Sequence, residues 1–234
     1  MADIILSNIC KKFGGKTLFK NFSLKVGRGE FLAIMGESGA GKTTLLNMMS
    51  LLERPDSGNI VLCGQKNPDF SSPTAVSLRR RHISYLFQNY GLIDTETVES
   101  NMRTATHFKA ISSKKERLLI AGALGKVGLQ GYEKRKAYTL SGGEQQRVAL
   151  AKVIAKSPQI IFADEPTGSL DGRNRDYVLE ILQELNCQGK TIVVVTHDPY
   201  VNECASRHIM LKNDASLPKC QEGENTWNGF SGVS

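Results

Sequence analysis

The chain has 234 residues, 40% hydrophobic and 23% charged, values typical of a globular protein and not of an intrinsically disordered chain. This length fits one large domain, or a core domain that carries a smaller insertion. The 30 lysines and arginines exceed the 23 acidic residues and give a net charge of +7. That charge is compatible with nucleotides, anionic membranes, nucleic acid or simply a solvated basic surface, so it selects no partner.

The cysteines argue against a disulfide framework or a zinc site, because they are odd in number and lack C-x-x-C spacing. A reducing cytosol fits them. The first residues have no signal-peptide pattern, and no apolar run approaches the ~20 residues that span a bilayer. We therefore expect that any membrane attachment depends on another chain. The five cysteines are Cys10, Cys63, Cys187, Cys204 and Cys220.

In chain order, the first predicted elements are strands of an antiparallel flank, at residues 4–6, 22–26 and 60–62. Continuous apolar runs follow at 31–35 (FLAIM), 159–163 (QIIFA) and 191–195 (TIVVV). Unbroken runs of this kind predict parallel strands buried on both faces, and each precedes a stretch of helical character. The alternation predicts an α/β fold.

The middle of the chain, from about residue 98 to 155, is mostly helical in pattern. Within it, residues 113–129 predict a helix that begins with a capping box from Ser113 to Glu116. We therefore predict an α/β core with its flank at 1–87 and 156–211, and an inserted helical subdomain at 88–155. The polar residues 212–234, rich in Gly, Ser and Asn, are typical of a mobile or loosely docked tail.

The sequence GESGAGKT after the first buried run fits the phosphate-binding loop G-x-x-x-x-G-K-[ST]. Its glycines let successive backbone N–H groups curl around phosphate oxygens, and the next helix presents its positive end to them. We expect Lys42 to reach the β- and γ-phosphates, Thr43 to ligate Mg²⁺, and Thr44 to lie near the α-phosphate. The loop thus predicts ATP and Mg²⁺ as ligands, bound by Gly36, Ser38, Gly39, Ala40, Gly41, Lys42, Thr43 and Thr44.

Polar side chains also follow the other predicted core strands, at the edge of the sheet where α/β proteins bind ligands. Asp164 would hold Mg²⁺, directly or through water, and Glu165 would polarise the attacking water. His197 would hydrogen-bond the γ-phosphate, and Gln88 would contact Mg²⁺ or that water. Each has a plain structural alternative, as a helix cap or a solvated strand end, and the phosphate loop is what makes the catalytic interpretation the better one.

A second glycine-rich turn, SGGE at 141–144, begins a helix. Ser141 and Glu144 form a predicted capping box, which needs no ligand. Two glycines directly after the cap nevertheless leave backbone N–H groups open to an anion. Because the phosphate loop already holds one face of the triphosphate, a second anion site is useful if it comes from another copy of the chain. We therefore predict a dimer that sandwiches ATP.

Together, GESGAGKT, LSGGEQQR, IIFADE, SLD and TH, in this order, resemble the nucleotide-binding subunit of an ABC transporter over residues 2–211. The resemblance implies an ABC ATPase domain with a P-loop NTPase core. It implies that Ser141 and Gly143 touch the ATP of the partner copy, and that residues 169–171, with Asp171, link the two sites. His197 would be the switch histidine and Gln88 the residue leading to the membrane partner. Phe13, which the residues alone would place in the core, would stack on adenine.

The segments FADEPTGSLD and SLLERPDSG resemble the branch of macrolide exporters, lipoprotein-releasing systems, cell-division ATPases and antimicrobial-peptide transporters, and most of all a bacteriocin exporter ATPase. This implies a peripheral subunit at the cytoplasmic face of the membrane, bound to an integral membrane permease, with no nucleic acid expected. Alternatives are a mechanotransmission ATPase that moves no substrate, a soluble mechanical ATPase acting on DNA or ribosomes, and a small-molecule kinase. The kinase leaves the second glycine turn and His197 without a role.

Overall fold

The computed structural model describes residues 2–168 and 170–212. Within these residues the chain forms strands and α helices in mixed order. The strands are β1 Ala2–Phe13, β2 Lys16–Gly27, β3 Phe31–Gly36, β4 Ser57–Leu62, β5 Gln65–Lys66, β6 Ile83–Leu86, β7 Ile160–Asp164, β8 Thr191–Val195 and β9 Arg207–Leu211. The helices are α1 Lys42–Met49, α2 Pro73–Arg81, α3 Val98–Thr106, α4 Ser113–Lys126, α5 Gly142–Lys156, α6 Gly172–Cys187 and α7 Pro199–Cys204, with short 3-10 turns at His107–Lys109 and Ala137–Thr139.

The central sheet is parallel, with the strand order β6-β7-β8-β3-β9. Alternate residues of its inner strands enter two different cores: Phe31 and Ala33 face the helices α3 to α6, whereas Leu32 and Ile34 face the second sheet. The apolar run of each strand is unbroken because residues that face one core alternate with residues that face the other, and both kinds are apolar. The three predicted core strands are confirmed, as is the α/β class.

The second sheet is antiparallel, with the order β2-β1-β4-β5, and confirms the predicted flank. The buried carboxylate of Asp3 in β1 joins it to the parallel sheet. Asp3 accepts hydrogen bonds from the Thr191 hydroxyl at 2.6 Å and from the Gln159 amide at 2.7 Å. These contacts set the position of the flank against the strands that carry the site.

The helices α3 and α4 pack against α5, so the middle of the described chain is helical as predicted. The predicted capping box of α4 is wrong by one residue. Ser112, not Ser113, caps the helix and accepts from the N–H of Lys115. Glu116 is then the fourth helical residue, too late to return to the cap. Its carboxylate accepts instead from the Thr106 hydroxyl at 2.7 Å, which ties α4 to α3.

The division into a core at 1–87 and 156–211 and a helical subdomain at 88–155 stays a prediction, since the first apolar core runs continuously from the sheet into the helices. Most of the predicted tail, residues 213–234, lies outside the described residues. Across 2–168 and 170–212, none of the helices combines the length and the apolar character that crossing a bilayer requires.

Candidate functional site

The phosphate loop joins β3 to α1, and its backbone leaves no room for a side chain at Gly36. Gly36 has φ 151°, and a Cβ there would lie 2.4 Å from the carbonyl oxygen of Leu211. Gly41 caps α1 with φ 86°, and contributes no side chain to the helix end. The first N–H groups of α1 are therefore accessible to an anion, as the loop motif predicts. Lys42 donates to the carbonyls of Gly36 at 2.8 Å and Glu37 at 3.0 Å, so its ammonium lies over the loop.

The loop opens into a cavity of about 450 Å³ at the carboxyl edge of the parallel sheet. Predicted residues from five separate segments line it together. Four of these segments follow the parallel strands β3, β6, β7 and β8, which all end at this edge, and the fifth is the end of β1, at Phe13. The lining residues are Phe13, Leu18, Ser38, Gly39, Gly41, Lys42, Thr43, Thr44, Gln88, Asp164, Glu165, Val195 and His197.

Thr43 and Asp164 form the pair in which a divalent cation would bind. The Thr43 hydroxyl donates to Asp164 Oδ1 at 3.3 Å, and both are oxygen ligands of the type that Mg²⁺ prefers. Burial raises the pKa of Asp164, an effect that the Thr43 hydrogen bond partly opposes. A buried carboxylate of this kind gains from a nearby cation, so the donor set fits the metal.

Glu165 lies at the end of β7 in the left-handed region, with φ 46°, and its N–H bonds the Val195 carbonyl at 2.9 Å. Carboxylate Oε1 is 2.9 Å from His197 Nδ1. Oε2 is buried and has no hydrogen-bond partner within the described residues. A strained backbone with an unpaired buried oxygen is a costly arrangement, typical of a site that a ligand completes. The imidazole of His197 is 72% exposed and faces the solvent side of the cavity.

Phe13 ends β1 with 71% of its surface exposed, and it lines the cavity. The residues alone place this ring in the core, which is wrong. The family resemblance places it against adenine, a position its exposure permits. An exposed aromatic ring gains buried area from a stacked base.

Two residues beside the site, Tyr85 and Asn47, were not predicted from the sequence. Tyr85 in β6 donates to Asn47 of α1 at 3.0 Å and lies close to Asp164, whose charge adds to burial in raising the tyrosine pKa. The tyrosine thus links the strand before Gln88 to the helix after the phosphate loop. Its sequence signal is weak, because the hydroxyls of Ser84 and Tyr85 both interrupt the apolar run ISYLF and nothing local distinguishes the tyrosine.

The second glycine turn begins α5, where the predicted capping box of Ser141 and Glu144 is confirmed. A Cβ on Gly142 would lie 2.9 Å from the Tyr90 hydroxyl, and one on Gly143 would lie 2.9 Å from the amide of Asn174. The glycines thus give close contact with two neighbouring segments.

Five of the predicted ligand-contacting residues do not line the cavity. Gly36 and Ala40 instead shape the phosphate loop, with Ala40 buried. Asp171 caps α6 through the N–H of Asn174 at 2.8 Å, while Ser169 lies outside the described residues. That Ser141, Gly143 and Asp171 contact the ATP of another copy stays a prediction.

Comparisons with known proteins identify the family. The family model described as "ABC transporter" matches residues 19–168. The macrolide export ATP-binding/permease protein MacB of Campylobacter jejuni strain 81-176 is 38% identical over 94% of this chain, which spans only 35% of MacB. The ABC transporter ATP-binding protein YknY of Bacillus subtilis is 35% identical over 92% of this chain and 95% of its own length.

Two solved structures have the same fold. The dimeric bacterial ABC transporter cassette MJ0796 matches with a TM-score of 0.83 and 37% identity, over 90% of this chain and 94% of its own. A post-hydrolysis dimer of MJ0796 bound to ADP and Pi matches with a TM-score of 0.85 and 35% identity, over 94% and 99% of the two chains. On the family model, the near full-length match to YknY and the shared fold, the chain belongs to the ABC transporter family as an ATP-binding cassette.

Proposed function

We propose that this ABC ATPase hydrolyses ATP between two copies of itself and drives an integral membrane permease. The observation that carries the proposal is the cavity in which the phosphate loop, the Thr43–Asp164 pair and the Glu165–His197 pair converge. Phosphoryl transfer depends on positioning and on charge stabilisation, and this set of groups supplies both.

Each group has one role in the proposed reaction. Lys42 releases the two loop carbonyls and binds the β- and γ-phosphates. Thr43, Asp164 and Gln88 would hold Mg²⁺, which would supply positive charge against the charge that develops on the phosphate oxygens. Glu165 takes the proton of the attacking water, and His197 orients that water and the γ-phosphate.

In the proposed dimer, a second copy of the chain supplies the groups that bind the γ-phosphate from the open side of this cavity. Ser141 and the N–H groups of Gly142 and Gly143 begin α5 and do not reach the cavity of their own chain. We propose that they bind the γ-phosphate in the other copy, with Asp171 in the loop that connects the two sites. The dimers of the similar cassette MJ0796, one with ADP and Pi, support this arrangement.

The permease is proposed as a separate chain that holds this subunit at the cytoplasmic face of the membrane. The relative MacB is named as a macrolide export ATP-binding/permease protein and is about three times as long as the matched part. Its name supports an exported amphiphile, for which a bacteriocin or antimicrobial peptide is our proposed class. The segment after Gln88 would face the permease.

The test of the reaction is Glu165→Gln, which keeps the size of the side chain and removes the base. We expect this variant to bind ATP and to dimerise with ATP and magnesium, while the ATPase rate falls at least about 100-fold. Dimer formation is measured by light scattering and turnover by phosphate release. Near-normal turnover would remove Glu165 from the role of base, and a strictly monomeric variant would count against the sandwich.

The test of the partner is purification of the tagged chain from detergent-solubilised native membranes, with mass spectrometry of the associated chains. A multi-spanning protein is expected in stoichiometric amount. Only soluble partners under ATP-trapping conditions would favour the mechanical ATPase. If the permease is recovered, transport of labelled peptide into inverted vesicles separates an exporter from a mechanotransmission complex.

A further inference from the structure

Phe13 lies at the end of a two-stranded ribbon that extends beyond the rest of its sheet. The strand β1 pairs with β4 only as far as Cys10, which lies opposite Ser57. Within the described residues, the segment 11–13 pairs with β2 alone, and its register shifts between Lys11 and Lys12. A ribbon of two strands is only marginally stable in water. The position of Phe13 therefore depends on what supports the other side of β1.

Packing of the Phe13 ring does not provide that support. The residue is 71% exposed, and two glycines follow it in the turn to β2. Because most of the ring faces solvent, its direction is set by the backbone of the residues before it. A ring in this situation loses conformational freedom when it binds a ligand, and a backbone that is already fixed reduces that cost.

The loop from Glu53 to Asp56 takes the place of the absent strand beside the end of β1. The N–H of Asp56 donates to the Cys10 carbonyl at 3.0 Å, and Asp56 Oδ2 accepts from the N–H of Lys12 at 2.7 Å. The second bond therefore reaches the residue directly before Phe13. A carboxylate here does what a strand carbonyl does in a ladder, with the added strength of a charged acceptor.

Lys11 attaches the same part of β1 to the same loop. Its ammonium donates to the Arg54 carbonyl at 2.7 Å and pairs with the Glu53 carboxylate at 3.0 Å. These contacts use the lysine side chain, whereas the bond to Asp56 holds the backbone of Lys12. Asp56 is thus the residue of the loop that acts most directly on the position of Phe13.

The loop also follows the helix that begins at the phosphate loop. The Asn47 carbonyl in α1 accepts from the N–H groups of Leu52 and Glu53 at 2.8 and 3.2 Å, which fixes the start of the loop to the helix. The first turn of α1 begins at Lys42, at the phosphate end of the cavity. One helix thus presents its first turn to the phosphates and, through the loop after its last turn, supports the residue at the other end of the cavity.

We propose that Asp56 is a positioning residue for nucleotide binding, whose carboxylate holds the N–H of Lys12 and so fixes Phe13 where it stacks on adenine. The inference rests on the proposed function, in which this cavity binds ATP, and on the placement of Phe13 against the base. Asp56 does not line the cavity. Its loss should therefore weaken binding of the base and leave the chemical step unchanged.

The first test compares Asp56→Ala with Asp56→Asn in calorimetric titrations with ADP and magnesium. Alanine removes the acceptor, whereas asparagine keeps an oxygen that can accept from Lys12. We expect the Kd for ADP to rise about 5-fold in Asp56→Ala and to stay within about 2-fold of the wild type in Asp56→Asn. Equal losses in both variants would overturn the inference, because the charge and not the hydrogen bond would then be responsible.

The matched control is Asp176→Ala, which removes an exposed aspartate of α6 that pairs with Arg175 and does not line the cavity. This variant should bind ADP normally. Thermal melting shows whether each variant is folded. A folded Asp56→Ala protein that binds ADP like the wild type, beside a weakened Phe13→Ala protein, would refute the role of Asp56 alone.

The second test is a double-mutant cycle of Asp56→Ala and Phe13→Ala. If Asp56 acts through Phe13, its removal should have no further effect on ADP binding once the ring is absent. Pyrophosphate, which has no base, should bind equally to all four proteins. A loss that is the same in both backgrounds, or that extends to pyrophosphate, would assign the effect to the phosphate end or to the fold and would overturn the inference.

Steady-state hydrolysis gives a third measurement. In Asp56→Ala the KM for ATP should rise about 5-fold while kcat stays unchanged, and a lower kcat at saturating ATP would contradict a role confined to the base. If Phe13→Ala binds ADP as tightly as the wild type, the stacking of Phe13 is wrong and the inference fails with it. A wild-type chain that binds neither ADP nor ATP would instead refute the proposed function itself.

Discussion

The variant Gly143→Ala tests the structural reason for a glycine in the turn that begins α5. The test is made on the protein without ATP. The added Cβ would lie 2.9 Å from both Cγ and Nδ2 of Asn174 and 3.0 Å from Oδ1. Carbon contacts are ordinarily about 3.5 Å or more. Because all three amide atoms are too close, rotation of the amide group gives no relief. The Asn174 side chain must leave its position.

Its departure breaks two hydrogen bonds to charged groups. Asn174 Nδ2 donates to Asp171 Oδ2 at 2.9 Å, and Asn174 Oδ1 accepts from Arg147 at 2.7 Å. At this half-buried position each bond contributes about 0.5–1.5 kcal/mol. Alanine regains up to about 1 kcal/mol of helix propensity. The net destabilisation expected for Gly143→Ala is therefore about 1–2 kcal/mol.

The assay is a double-mutant cycle of Gly143→Ala and Asn174→Ala, followed by urea unfolding without nucleotide. Asn174→Ala removes the obstacle, so in that background Gly143→Ala should be neutral or stabilising by up to about 1 kcal/mol. The expected coupling energy is therefore about 1–3 kcal/mol. Gly122→Ala is the control, because it lies inside α4 with nothing within 4 Å of the new Cβ. It should stabilise the chain by up to about 1 kcal/mol.

Equal stability of Gly143→Ala and the wild type would refute the reasoning, as would an equal loss in both backgrounds. In the first case Asn174 moves at no cost. In the second the penalty arises from the backbone and not from the contact. The first result would leave no packing reason for a glycine at 143, and the second would assign the reason to the backbone of the turn.

Two further variants test the contacts that fix the site and its helical neighbours. Asp3→Ala removes an acceptor from the buried Thr191 and from Gln159, and should cost about 2–4 kcal/mol in urea unfolding. A loss below about 0.5 kcal/mol would mean that the two sheets do not depend on this carboxylate. Ser112→Ala should cost about 1 kcal/mol by loss of the α4 cap, whereas Ser113→Ala should be neutral. A reversed order in thermal melting would return the cap to Ser113.

The sequence predicts those features of the fold that depend on the apolar pattern within a strand or on the direction of the strand. The continuous runs in β3, β7 and β8 predict two-sided burial, because two alternating apolar sets leave no polar position between them. Because those strands are parallel, their carboxyl ends lie at the same edge of the sheet. The meeting of Lys42, Asp164, Glu165 and His197 then follows from chain direction alone.

Contacts between distant segments have no such signal. Asp3 and Thr191 are 188 residues apart, and nothing local in either segment indicates the other. Asn174 and Gly143 meet only because α6 passes the start of α5. Ser112 and Ser113 are adjacent and chemically alike, so the local pattern cannot choose the cap. Each of these follows from tertiary packing, not from periodicity.

The segment from Phe87 to Gly91 borders two cavities. Gln88 within it lines the nucleotide cavity, while Phe87 and Gly91 line the cavity between α2, β6, α3 and α5. Under the proposed function, a permease that displaced this segment would also displace a residue that we propose contacts Mg²⁺ or water. By linkage, ATP would then change the affinity for the permease by the same factor as the permease changes the affinity for ATP. Because one short segment borders both cavities, such coupling would need no long pathway through the fold.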